Sequence, residues 1–147
     1  MSIEDDVALL ERVPTLRLLG TTALRMLAIG SELRDYARGD ALFNLGDAAD
    51  AGYIVQRGAF RVEDDGGAEI VAGPGTLIGE LALVVEMQRP STAIALEHSS
   101  AIRVARSLFQ RVLESDPEAA RRLRDEFANR TSQIASDILM AGAKLSI

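Results

Sequence analysis

The order of apolar and polar positions changes texture twice along the chain. At the start, Ile3, Val7 and Leu10 recur at helical spacing and fall on one face. Pro14 interrupts that run, and Thr21 or Thr22 is placed to cap a second short helix through "ALRMLAIG", ending at Gly30. From Ser31 to Ala105 the period shortens, and brief apolar runs alternate with turn signals. "ALFN" lies between Gly39-Asp40 and Gly46-Asp47. "GYIVQ" and "AFRVE" flank Arg57-Gly58, which predicts a tight hairpin. "AEIVA" follows the Asp-Asp-Gly-Gly turn at 64–67, and "TAIALE" and "AIRVA" flank the turn at His98. Seven or eight short strands with regular turns predict a jelly roll or barrel.

Beyond Arg106 helical spacing returns. "RSLFQRVLES" sets Leu108, Phe109, Val112 and Leu113 on one side of a short helix. Asp116-Pro117 is a start signal, with Asp as N-cap and Pro in the first helical position. The helix that follows meets no breaker before Gly142. In it Phe127, Thr131, Ile134 and Ile138 continue through Ala141 and Leu145 at alternating spacings of four and three. This heptad-like seam predicts a parallel homodimer through the last helix, while Ala119, Ala120 and Leu123 are expected to pack on the barrel. The reading is one α+β domain over residues 1–147. It comprises N-terminal helices at 3–30, an eight-stranded antiparallel β jelly-roll barrel at 31–105, and two C-terminal helices at 106–141.

Composition narrows the function. The chain has 147 residues, 48% of them hydrophobic, enough for a real core. No apolar run approaches the ~18 residues of a membrane span. The acidic start "MSIEDDVALLERV" lacks the basic region of a signal peptide, so a cytoplasmic protein without a membrane partner is expected. Sixteen basic residues against 22 acidic ones, a net charge of −6, argue against a nucleic-acid surface. The absence of Cys removes disulfides, thiolate nucleophiles and thiolate metal sites. A lone histidine, His98 in the turn "EHSS", cannot build a His-rich metal centre. A cupin-like enzyme on a jelly roll is disfavoured for the same reason. No catalytic residue, metal or cofactor is expected.

Residues 79–92, "GELALVVEMQRPST", carry the chemistry. A helical turn begun at Gly79 exposes unpaired backbone N–H groups and the positive end of a dipole to an anion. Glycine lets a phosphate approach the backbone, and Arg89 can close on it from the other side as a charged fork. Glu80 cannot bind phosphate, but it can accept hydrogen bonds from a ribose hydroxyl. The same residues also allow a plainer reading, a surface ion pair of Arg89 with Glu80 or Glu86.

"IGELALVVEMQRPSTA" resembles the phosphate-binding cassette of the cyclic-nucleotide-binding domain family. "YARGDALFNLGDAADAGYIVQRGAFRV" resembles that family's first barrel strands, with matching Gly39, Gly46, Gly58 and Tyr53. "GPGTLIGE" resembles its entry into the cassette, and the likeness runs over roughly residues 7–140. The resemblance implies a ligand, cAMP or cGMP, with Glu80 on the ribose 2′-hydroxyl and Arg89 on the exocyclic phosphate oxygens. It places Gly79 and the amides of Leu81 and Ala82 around the phosphate, with Pro90, Ser91 and Thr92 following the arginine. Pro90 departs from the family, which has Ala, Ser or Thr there with a backbone N–H that donates to phosphate; proline has none. Ser91 can compensate in part through its hydroxyl. The lid position falls in "NRTSQIASDI", where Thr131, Ser132, Ser136 and Ile134 are options for meeting the base. The sequence stops at Ile147 without the helix-turn-helix of bacterial regulators that carry this sensor domain. The expectation is a stand-alone regulatory sensor module that signals through its C-terminal helix to an unknown protein partner, or a piece of something longer. The alternative is a degenerate member that has lost the ligand and kept the fold for dimerisation or protein interaction.

Overall fold

The computed structural model describes residues 2–126, 128 and 129. Three helices open the chain: α1 (Ile3–Glu11), α2 (Pro14–Arg17) and α3 (Thr21–Gly30). Ser2 caps α1 in a reciprocal pair with Asp5. Pro14 ends one helix and begins the next, since its missing N–H costs nothing in a first turn. The N-cap of α3 is Gly20 rather than Thr21 or Thr22, and no side chain caps it.

Ten strands follow among the described residues: β1 (Glu32–Tyr36), β2 (Ala41–Phe43), β3 (Ala48–Ala49), β4 (Ala51–Arg57), β5 (Phe60–Asp64), β6 (Glu69–Ala72), β7 (Leu77–Ile78), β8 (Met87–Gln88), β9 (Ser91–Ala95) and β10 (Ser99–Ala105). They form two antiparallel four-stranded sheets, β1-β10-β4-β7 and β2-β9-β5-β6, with a two-stranded β3-β8 ladder. The jelly-roll expectation of eight strands closed into one barrel is therefore replaced by two open sheets. Part of the reason is the Arg57-Gly58 turn. It does not make a hairpin, because β4 pairs with β10 and β7 while β5 pairs with β6 and β9. The turn carries the chain from one sheet to the other, and the connection at His98, which is exposed, does the same between β9 and β10.

Strand β4 shows why the two sheets and the helices stack as layers. Its alternate residues Ala51, Tyr53 and Val55 join Phe60, Ala93, Ala95 and Ala101 in a core between the sheets. Ile54, facing the other way, joins Ile102, Val104 and the buried residues of α1–α3. A strand covered on both faces reads as the near-continuous apolar run "AGYIV". Helix α4 (Arg106–Ser115) adds Phe109 and Val112 to the helical core, and α5, opening at Pro117, adds Ala119 and Leu123. Asp116 caps α5 by accepting from the Ala119 amide at 3.1 Å. Arg122 of α5 donates to the Leu18 and Leu19 carbonyls at 2.7 and 3.0 Å, tying α5 to the end of α2. Ala119 and Leu123 are thus buried in the same cluster as Ile54, Ile102 and Val104 of the sheet. Among the described residues no helix is long and apolar enough to cross a membrane.

Gly58 is the corner on which the sheet switch turns. It holds φ of +82°, and a β-carbon there would lie 2.7 Å from the His98 carbonyl oxygen and collide with the Ser99 hydroxyl. Gly58→Ala should therefore lose about 2–4 kcal/mol of stability, from the left-handed backbone and the clash combined. A urea midpoint close to that of the natural sequence would show that the corner relaxes.

Candidate functional site

Strand β7 ends at Ile78, and Gly79 then turns the chain with φ of +79° into a single 3-10 turn, Glu80–Leu83. Leu83 is buried in the helical core, and its side chain packs over Gly52 of β4, so the turn is anchored from below. A cavity of about 290 Å³ opens beside it. Phe43, Val62, Ile70, Ala72, Ile78 and Met87 supply apolar walls, and Gly79–Ala82 with Arg89–Ser91 supply the rest of the rim. That volume is at the small end of the ~300–1,000 Å³ typical of small-molecule sites.

Arg89 is the polar centre of this cavity. It is 4% exposed, yet no carboxylate pairs with it among the described residues. The surface ion pair with Glu80 or Glu86 is therefore ruled out. Its Nη2 donates to the Ala51 carbonyl at 2.7 Å, while its Nε is buried without a hydrogen-bond partner. The guanidinium carbon stands 4.1 Å from the centre of the Phe43 ring and 5.6 Å from that of Tyr53. Such cation–π contacts contribute about 0.5–2 kcal/mol each, less than the several kcal/mol an unpaired buried charge costs. Desolvation pushes the guanidinium's pKa below the ordinary arginine value; Tyr53, Asp50 and Asp47 oppose that shift and Arg103 adds to it. Arginine still keeps its proton, so the site holds a positive charge in want of an anion. The backbone is pinned too: the Arg89 amide donates to the Asp47 carbonyl at 2.7 Å, and its carbonyl accepts from the Gly46 amide at 2.8 Å.

The guanidinium packs directly on the glycine. Its Nη1 lies 2.6 Å from where a β-carbon of residue 79 would stand, so only glycine permits both the turn and the contact. Ten positions of sequence thus fold back to set Arg89 against the opening of the turn. The Leu81 amide is one of the first-turn donors a helix leaves unpaired. The Ala82 amide, by contrast, already donates to the Gly79 carbonyl at 3.1 Å.

Gly79, Glu80, Leu81, Ala82, Arg89, Pro90 and Ser91 all line the cavity, and Thr92 does not. Strand β9 explains the exception. Ser91, Ala93 and Ala95 face inward, and the alternation turns Thr92 and Ile94 to the other face. There the Thr92 hydroxyl accepts from the Leu45 amide at 2.8 Å and steadies the β2–β3 connection. Phe127, Thr131, Ile134 and Ile138, with the lid options Ser132 and Ser136, lie outside the described residues.

Two residues the sequence did not single out attach the turn to its surroundings. Thr15 of α2 donates its hydroxyl to Glu80 Oε2 at 2.9 Å. Arg106, the first residue of α4, directs its Nη1 at three carbonyls, those of Ala49, Ala82 and Val85, at 2.9, 3.1 and 2.9 Å. A faint signal for Arg106 exists in the sequence, since a cation at a helix N-terminus opposes the dipole and needs another partner. No such signal marks Thr15.

Comparison with known proteins identifies the family to which this fold belongs. Residues 33–116 match the model of the cyclic nucleotide-binding domain, and the chain belongs to that family. The solved N-terminal domain of a transcriptional regulator from Streptomyces coelicolor A3(2) superposes with a TM-score of 0.79 at 30% identity, covering 88% of this chain and 94% of that one. A cAMP-dependent protein kinase regulatory subunit of Hypocrea atroviridis is 33% identical over 68% of this chain and 24% of its own length. Lysophospholipase NTE1 of Chaetomium globosum is 33% identical over 67% of this chain, but the match spans 7% of that protein. The chain thus covers a small part of these curated relatives.

Arg106 bridges β3, the turn and the segment after it, and its removal leaves three carbonyls without that donor. Arg106→Met, which keeps most of the apolar stem, should lower stability by roughly 1–3 kcal/mol. Urea unfolding checks this; a loss under about 0.5 kcal/mol would mean that water replaces the donor at no cost.

Proposed function

We propose that the chain is a non-enzymatic regulatory module that binds a cyclic purine monophosphate beside the Gly79-led turn and responds through its C-terminal helix. The observation that carries this reading is the buried Arg89 guanidinium, with an unbonded Nε and no carboxylate partner among the described residues. A phosphate entering between it and the Leu81 amide gives the guanidinium its anion and the turn its acceptor. Glu80 takes the ribose 2′-hydroxyl, and the apolar wall of Val62, Ile70 and Ala72 takes the base. The relative named as a cAMP-dependent kinase subunit supports cAMP over cGMP. On this reading the module is cytoplasmic and acts on a protein partner, as a homodimer joined along Phe127, Thr131, Ile134 and Ile138.

One observation favours the second reading, a member that has given up the ligand. Arg89 already has a carbonyl and two aromatic faces, and Pro90 on the rim has no N–H to offer. Neither supplies a negative charge, which is why the binding reading is preferred.

Calorimetric titration with cAMP and cGMP separates the two, and absence of heat or thermal shift up to millimolar ligand overturns binding. Arg89→Ala should weaken binding at least about 30-fold, the scale of removing one partner of a desolvated charge pair. Pro90→Ala should tighten it several-fold by restoring a donor to a charged group, worth about 1.5–3 kcal/mol less the ~0.4–1 kcal/mol of added loop freedom. Unchanged affinity in Arg89→Ala would remove the phosphate from this site. Weaker binding by folded Pro90→Ala would show that the ring shapes the pocket instead.

The dimer is tested by sedimentation. The full chain should run as a dimer and a chain cut after Asn129 as a monomer. A full chain that is monomeric at high concentration excludes the helix seam.

A further inference from the structure

The Thr15–Glu80 hydrogen bond joins residues 65 positions apart, and it spans two layers of the fold. Thr15 is 2% exposed, and its short helix is held in place by Leu16, which is fully buried, and by the two bonds from Arg122 to the carbonyls of Leu18 and Leu19. Glu80 stands at the other end, as the first residue of the turn and on the rim of the cavity. A glutamate on a rim has three side-chain torsions to settle before it can meet a ligand. A hydroxyl donor from a rigid helix settles them in advance. One such bond does not exhaust a carboxylate, which has about four acceptor sites.

We propose that Thr15 is a positioning residue for ribose recognition: its hydroxyl orients the Glu80 carboxylate toward the ligand's 2′-hydroxyl, so that this part of affinity depends on the N-terminal helices. The inference rests on the proposed binding of a cyclic nucleotide and adds to it a residue outside the cassette. A purely structural bond between α2 and the turn makes a different prediction. Losing it would lower stability and weaken every ligand alike, whether or not the ligand carries a 2′-hydroxyl.

The two are separated by titrating the natural chain and Thr15→Val with cAMP, cGMP and their 2′-deoxy counterparts. The natural chain should favour the ribose form by about tenfold or more, the scale of a hydrogen bond to a charged group. In Thr15→Val that preference should shrink to about threefold or less, with affinity for the deoxy ligand nearly unchanged. Thr15→Ser, which keeps the hydroxyl, should restore the preference. If Thr15→Val does not fold, Thr15→Ala carries the same comparison without the added methyl. A folded variant that keeps the full preference overturns the proposal. So does a natural chain that binds ribose and deoxyribose forms equally, which removes Glu80 from ribose recognition while leaving nucleotide binding intact. A natural chain that binds none of the four overturns the underlying reading as well.

Discussion

An arginine with 4% of its surface exposed and no paired carboxylate among the described residues is the feature around which this end of the fold is arranged. Burial of an unpaired charge opposes folding, and the surroundings of Arg89 offset that cost piecemeal. The Ala51 carbonyl accepts one hydrogen bond, the faces of Phe43 and Tyr53 lie near the charge, and the 46–47 loop grips the backbone on both sides. Each of these fixes where the charge is, and none neutralises it. The Nε without a partner is the remainder. An electrostatic site prepared in this way has its reorganisation done before a ligand arrives, which is the condition under which an anion gains most from a low-dielectric cavity.

The same turn that faces Arg89 is fastened to the helices packed against it. Leu83 roots it in the helical core, Thr15 reaches its glutamate from α2, and Arg106 holds the Ala82 carbonyl from the start of α4. Helix α5 is in turn held to α2 by Arg122. A ligand shifts a conformational equilibrium only by its difference in affinity for the two states. On the proposed function, the contacts that run from the rim of the cavity into the helices are the route by which such a difference is felt outside the cavity.

Much of the fold was legible in the chain. The change of period at Ser31 and again at Arg106 marks the boundaries of the strand region, because strands and helices bury alternate and every-third-or-fourth residues respectively. Asp116-Pro117 announced α5 through capping chemistry that operates within four residues. Local rules misjudged what depends on distant partners. Arg57-Gly58 has the residues of a hairpin and serves as a corner between sheets, because the strands that pair with β4 and β5 come from elsewhere in the chain. Thr21 and Thr22 are good caps on paper, and Gly20 took the position because the chain must turn there with φ of +85°.

The sequence by itself determined the chemistry of the site: a glycine that tolerates a left-handed turn, a carboxylate, an arginine ten residues on, and a proline that withholds an N–H. These are properties of residue types and spacing along one short segment, and they need no partner to be read. Only the tertiary structure decided which of these groups meet. Strand alternation sent Ser91 into the cavity and Thr92 away from it, a matter of one residue in register. Packing between layers buried Arg89 beside Phe43, and it delivered Thr15 and Arg106 to the turn from 65 residues before Glu80 and 24 after Ala82. Nothing local encodes such a meeting, because the free energy that brings those side chains together comes from the apolar core beneath them and not from the residues themselves.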